Sequence, residues 1–455
     1  MALGAEAEGR FDPMRFPAPP TNGSWRALLE GDLASAALAA AHAIAAESDA
    51  LATPLPPQAS ATTAASWRAA LGTGAAGQAL LHGYLTLHAT DARHAGRALE
   101  LLDRATDCVA AVPLNESLYS GFTGIAWAAE HLWGRLGERV GDAGDEVDQG
   151  VLSLLSASPW AGEYDLVNGL AGLGVLALER LPRPAAARCL ELVVERLGER
   201  AERSAEGAAW FSPPERLLDF QRRRYPHGCY NLGAAHGAAG VLALLAGCCR
   251  AGVGAAAPLL EDAVRWLLAH ELPPEHGFRF PDRFSPSTAP RGGRLAWCHG
   301  DLGMAAALAA AARAAEQPAW LRAAHDLALA AAARPLESSG VRDAGLCHGA
   351  AGVAHLFNRL YQASGDERLG NAARRWVAHT LELRQPGRGA GGFRSWRAGM
   401  AGQGEWRDDP GFLNGAAGIG LVLLAAASPL EPEWDRVLLA SLPTVRTSSP
   451  SGDPI

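Results

Sequence analysis

Apolar and polar positions along this chain fall into blocks. Seven times a small-residue turn of the form Gly-x-x-Gly opens a run of roughly ten Ala, Leu and Val residues with few charges. The segments read GTGAAGQALL from Gly72, SGFTGIAWAA from Ser120, NGLAGLGVLAL from Asn168, HGAAGVLALL from His236, HGDLGMAAAL from His299, HGAAGVAHLF from His348 and NGAAGIGLVLL from Asn414. A helix apolar almost all round is buried on most sides. The intervening stretches are amphipathic and charged, as in LPRPAAARCLELVVERLGERAER from Leu181, which suits helices with one wet face.

Successive first glycines lie 47 to 68 residues apart, a period that fits one helical hairpin per repeat. The longer intervals hold Pro-, Gly- and Arg-rich stretches, Phe211 to Tyr230, Leu272 to Arg294 and Arg384 to Gly411, which read as insertions between hairpins. Seven buried helices alternating with seven surface helices predict an all-α fold, an α/α toroid with an inner ring inside an outer one. The glycines let each inner helix start tightly and pack close to its neighbours. The turns then gather the inner-helix N-termini at one end of the ring. A plainer reading of the glycines is that they only aid helix packing. The expected domain is one toroid over 25–440, between flexible tails at 1–24 and 441–455.

Composition narrows the function. Apolar residues make up 49% of the 455 and charged residues 19%, enough for a large core. All 40 basic residues are Arg, and the net charge of −8 argues against a nucleic-acid partner. No uncharged apolar run is long enough for a membrane span. The N-terminus, MALGAEAEGRFDP, lacks the apolar segment of a signal peptide, so a cytoplasmic location is expected. Seven irregularly spaced Cys fit reduced thiols or metal ligands better than a disulfide framework.

Aligning the repeats on their first glycine exposes the candidate chemistry. The residue before it is Ser120, Asn168, His236, His299, His348 and Asn414 in repeats two to seven. The residue before that is Tyr119, Val167, Ala235, Cys298, Cys347 and Leu413. Equivalent positions of adjacent repeats are neighbours in a toroid, so Cys298 and Cys347 should meet although 49 residues separate them. Two thiolates and one imidazole with a fourth position open form a catalytic zinc set, and these donor types favour zinc over magnesium or calcium. His299 and His348 compete for the third place, and spacing does not choose. His236 holds the same position one repeat earlier without a cysteine, free to move protons. Asp165 and Arg294 lie near the same turns, where a carboxylate fixes the tautomer of His236 and an arginine steadies a developing enolate. On spacing alone each reads equally as a solvated charge. Cys108, Cys189, Cys229, Cys248 and Cys249 share no frame.

The set GAAHGAAG at Gly233, WCHGDLG at Trp297 and CHGAAG at Cys347 resembles the lanthionine synthetase C family of lanthipeptide cyclases, from Gly72 to Leu424. The resemblance implies the same seven-plus-seven toroid. It implies zinc on Cys298, Cys347 and His348, with His299 behind them and His236 as acid/base catalyst. The YDLVNGLAG and GRLAWCHG segments match family motifs that make Asp165 and Arg294 active-site residues. Asp301 and Leu302 stand where relatives usually carry a small residue and proline, so Asp301 is expected to alter the pocket. The implied reaction adds peptide Cys thiols to dehydroalanine or dehydrobutyrine. The implied partners are a dehydrated precursor peptide, a separate dehydratase and a membrane transport complex. The rival readings are a non-catalytic zinc- and glutathione-binding relative, a prenyltransferase-like toroid and a toroidal glycosidase, the last needing paired carboxylates for which Asp165 and Asp301 are the candidates.

Overall fold

The computed structural model describes residues 25–89, 91–136, 144–398 and 404–444. The chain enters through α1 (Gly31–Glu47) and α2 (Ala61–Ala69). Six hairpins then follow: α3 (Ala75–Ala89) with α4 (Ala92–Ala111), α5 (Phe122–Leu136) with α6 (Gly144–Leu155), and α7 (Leu170–Glu179) with α8 (Pro184–Arg200). After the short α9 (Asp219–Arg224) come α10 (Ala238–Arg250) with α11 (Ala256–Ala269), α12 (Asp301–Ala314) with α13 (Pro318–Ala332), and α14 (Ala350–Ser364) with α15 (Glu367–Glu382). The last helix is α16 (Ala416–Ala427).

Each of the seven inner helices, α3, α5, α7, α10, α12, α14 and α16, begins on the residue after the first glycine of its turn. Each inner helix packs on the next, and α16 packs back on α3, so the ring is closed. The chain is mostly helical and forms the expected toroid. Burial matches the two roles. Every residue of α16 from Ala416 to Ala426 is buried, whereas α15 buries one stripe through Leu369, Ala373, Trp376 and Thr380. Among the described residues no helix is long and apolar enough to cross a membrane.

The second glycine of each turn is required by the chain's own path. A Cβ at Gly352 would sit 1.8 Å from the Leu346 carbonyl oxygen, and one at Gly124 would sit 1.8 Å from that of Leu118. The turn folds back on itself where only glycine fits. The same Cβ would also crowd the preceding repeat around the ring, as Gly77 against Phe412 and Gly124 against Leu71. Tight starts and close neighbours are both present, so helix packing alone is too narrow an account.

The outer ring differs from a simple series of hairpins. Six outer helices follow their inner partners, but the helix packed outside α16 is α1, from the other end of the chain. Leu28 N–H donates to the Ala426 carbonyl at 2.8 Å, and Trp25 Nε1 donates to Ala425 at 2.9 Å. The ring is closed by its first helix clasping its last.

The expected insertions carry short strands. β1 (Glu202–Ser204) pairs with β2 (Gly207–Ala209). A three-stranded antiparallel sheet joins two insertions, with β3 (Phe211–Ser212) and β5 (Arg283–Phe284) flanking β4 (Cys229–Asn231). A last hairpin pairs β6 (Ser395–Ala398) with β7 (Gly404–Arg407). Residues 431–442 run into the ring, where Asp435, fully buried, pairs with Arg359 at 2.5 Å and His355 at 2.7 Å. The expected tail 1–24, and 445–455 of the other, lie outside the described residues. The start of that second tail is packed, for Leu442 is buried and its carbonyl accepts from Arg359.

Candidate metal centre and acid–base pair

The turns before the inner helices hydrogen-bond to one another around one end of the ring. Gly72 N–H donates to Tyr119 O, Leu118 to Val167, Cys347 to Leu413 and Leu413 to Gly72. In the same series Trp297 N–H donates to Cys347 O at 3.1 Å and Ala235 to Cys298 O at 3.4 Å. This rim brings repeats four, five and six together, and with them His236, Cys298, Cys347 and His348.

Cys298, Cys347 and His348 each offer a donor atom, and these atoms all lie within 4.8 Å of one another. Both cysteines are buried, and His348 is half-buried. His299 is not in that group. It hydrogen-bonds the Cys298 sulfur, while its Nδ1 is buried with no partner among the described residues. A Cβ at Gly233 would lie 2.9 Å from that Nδ1, so the glycine makes room for the ring.

The two buried cysteines act on each other's acidity. A hydrogen bond from Cys347, with support from His299 and His348, holds the Cys298 thiol well below its ordinary range. The same bond, with burial, pushes Cys347 well above it, because its S–H is the donor. The Cys298 thiolate in turn raises His299. A buried thiolate beside imidazole is a cation-binding arrangement.

The donor chemistry fits zinc. Tetrahedral ligands at about 2.3 Å for sulfur and about 2.1 Å for nitrogen put neighbouring donors roughly 3.5–3.8 Å apart, within the observed spread. Three protein donors leave a fourth position for substrate.

His236 ends the turn before α10. Its Nδ1 lies 2.7 Å from Asp165 Oδ2, and Asp165 Oδ1 accepts the Asn168 N–H at 2.6 Å. The carboxylate is 8% exposed and the imidazole 41%, so the aspartate is held from behind while the ring faces outward. With Nδ1 engaged, Nε2 is the nitrogen left for a substrate.

Arg294 is exposed and makes no ion pair with Asp165, but its charge reaches Cys347 and partly opposes the upward push on that thiol. It stands six residues before its glycine. In other repeats that place holds Asn115, Asn231, Asp343 or Asp409, each accepting the N–H two residues on. Arginine cannot make that turn, and its side chain has no ion-pair partner among the described residues.

Asp301, expected beside His299 behind the metal ligands, is buried against the neighbouring insertion. Its carboxylate accepts the N–H groups of Arg279 and Phe280, at 3.2 and 3.0 Å, and pairs with Arg334 at 3.3 Å. It begins α12, where its direction is set by the insertion it fastens. That geometry also removes the carboxylate pair a glycosidase needs.

Two further residues beside the site, given no role on spacing, have readable positions in the repeat. Tyr119 occupies the cysteine register of repeat two, stacks edge-on with Trp297 at 6.0 Å and donates to Val437 O at 2.9 Å. Asp343 accepts Gly345 N–H at 3.1 Å and Trp396 N–H at 2.8 Å, tying the β6–β7 insertion to the Cys347 turn.

A helical toroid with a two-cysteine, one-histidine donor set at its rim defines the class. The family model for lanthionine synthetase C-like proteins matches residues 65–439, and the chain belongs to that family. A solved structure of nisin cyclase is similar over 82% of this chain and 92% of that one, with a TM-score of 0.64. Sequence identity is 19%, so that likeness is one of fold. A search of curated proteins found no match.

Proposed function

We propose that this chain is a zinc-dependent lanthipeptide cyclase, adding Cys thiols of a dehydrated precursor peptide to dehydroalanine or dehydrobutyrine. The observation that carries the reading is the convergence of Cys298, Cys347 and His348 beside a histidine anchored on a buried carboxylate. When bound by those three residues, zinc would supply a Lewis acid that stabilises a substrate thiolate.

The chain's own residues account for the rest. Asp165 fixes the His236 tautomer, so that Nε2 holds and moves the proton between the thiol and Cα. The sulfur forms a bond to Cβ, the π electrons move to the adjoining carbonyl as an enolate, and the proton returns at Cα. No atom is lost and no electron acceptor is used. Arg294, a cation with no ion pair among the described residues, supports the role of steadying the enolate. His299 supports the Cys298 thiolate by hydrogen bonding, and Asp301 keeps the neighbouring insertion in place. The reaction requires a separate dehydratase to supply the precursor, and the resemblance adds a membrane transport complex that would hold this protein at the membrane.

The test is incubation of purified protein with a dehydrated precursor, with and without a zinc chelator. Cyclisation is read as loss of free thiols at unchanged peptide mass. Full activity in metal-free protein would end the zinc assignment. Zinc binding without turnover would favour a thiol-binding relative.

A further inference from the structure

The two most exposed large hydrophobic side chains are Leu218 and Phe220, at 61% and 62%, while the others described lie between 37% and 42% on scattered elements. They flank the start of α9, in a segment that also carries Arg216, Arg222, Arg223 and Arg224 against Glu215 and Asp219. In a chain of net charge −8, this is a local basic and apolar face.

The face is built rather than loose. Leu217, Tyr225 and Cys229 form a small core of their own beneath α9. Arg224 Nη2 donates to Ala289 O at 3.1 Å, stitching the segment to the second insertion. Arg216 donates to Gly162 O at 3.1 Å and pairs with Glu163 at 2.8 Å, stitching it to the turn that carries Asp165. Rigid support beneath two exposed apolar groups argues for a surface that something covers. Arg223 is exposed and makes no ion pair among the described residues.

The face leads to the reaction site. Arg216 lines an open cleft of about 290 Å³ together with Asn115, Ser117, Glu163 and Asn168. Asn168 in turn donates its N–H to Asp165, the anchor of His236. A chain lying on α9 and passing Arg216 would arrive at the acid–base pair.

We infer that α9 and Arg216 form a docking surface for a segment of the peptide substrate outside its reacting residues, one that carries apolar side chains beside acidic ones. The inference rests on the cyclase reading for the identity of the substrate. Charge complementarity selects the acidic component, and Leu218 and Phe220 select the apolar one. A membrane is a poorer fit, because a six-residue helix and its N-cap together offer two apolar side chains and no broad face around them.

The test uses the full chain in three arms. A fluorescein-labelled peptide alternating Leu with Asp and Glu should bind, and the same peptide with Lys for each acid should not. The paired variants L218S/F220S and R222E/R223E should each weaken that binding about tenfold. With a full-length dehydrated precursor they should raise KM about tenfold and leave kcat unchanged, while a minimal dehydroalanine–cysteine peptide reacts as with wild type. Unaltered peptide binding and KM in both variants overturn the inference, as does loss of binding to phosphatidylglycerol vesicles with peptide binding intact. If the wild type binds the acidic peptide but cyclises nothing, the cyclase reading fails and the docking surface stands.

Discussion

Replacing Asp165 by Asn probes the acid–base half of the site without touching a metal donor. Asparagine has nearly the same shape, and its oxygen can still accept the Asn168 N–H now held at 2.6 Å. Its amide, however, donates where the carboxylate accepted. His236 Nδ1 must then be the acceptor, the ring proton moves to Nε2, and the face toward substrate no longer takes a proton. The positive ring formed during transfer also loses its counter-charge. Unit charges about 4 Å apart at an effective dielectric near 20 interact by about 4 kcal/mol, an upper figure here because the imidazole is 41% exposed. At roughly 1.4 kcal/mol per decade, the expected loss in kcat is about 10²- to 10³-fold. The assay is initial rate of thiol loss from a dehydrated precursor, with zinc content and thermal stability measured alongside. A D165N protein that turns over within about threefold of wild type would refute the role given to the Asp165–His236 pair.

Cys347→Ala should lose metal and activity together, whereas His236→Ala should keep metal and lose most turnover; metal analysis with rate measurement separates them. Asp435→Ala leaves the buried Arg359 with Glu431 as its remaining carboxylate partner and should destabilise the fold by about 3 kcal/mol, the low end for a broken buried pair, read by denaturant unfolding. Burial, with the neighbouring His94, pushes the His82 imidazole down to about 4. The unfolded chain therefore binds the proton first, so this stability is present above about pH 6.5 and is lost as pH falls toward 4. His82→Gln should flatten that decline, by up to about 2–3 kcal/mol between pH 7 and 4, in unfolding curves taken across the window.

What the sequence makes legible is whatever repeats. Seven copies of one turn locate every inner-helix start, because the steric demand behind the second glycine recurs each time. The same register brings Cys298 to Cys347 before any coordinate is known. Pairing that spans the whole chain leaves no local mark. Nothing in GDLASAALAAAHAIAAE says that it will clasp α16, and nothing in EPEWDRVLLA says that it will enter the ring. Strands of two to four residues are too short for alternation to show. Asp301 illustrates a different limit: composition supplies the carboxylate, but its direction depends on Arg279, Phe280 and Arg334, which belong to other elements. The place six residues before each glycine was readable and carries both the Asx turns and Arg294.

The most direct measurement is X-ray absorption at the zinc edge on metal-replete protein, paired with metal stoichiometry. The account predicts one zinc per chain, with two sulfurs at about 2.3 Å, one imidazole nitrogen at about 2.1 Å and one further light atom. A zinc shell with fewer than two sulfurs, or protein that holds no zinc after reconstitution, would contradict it.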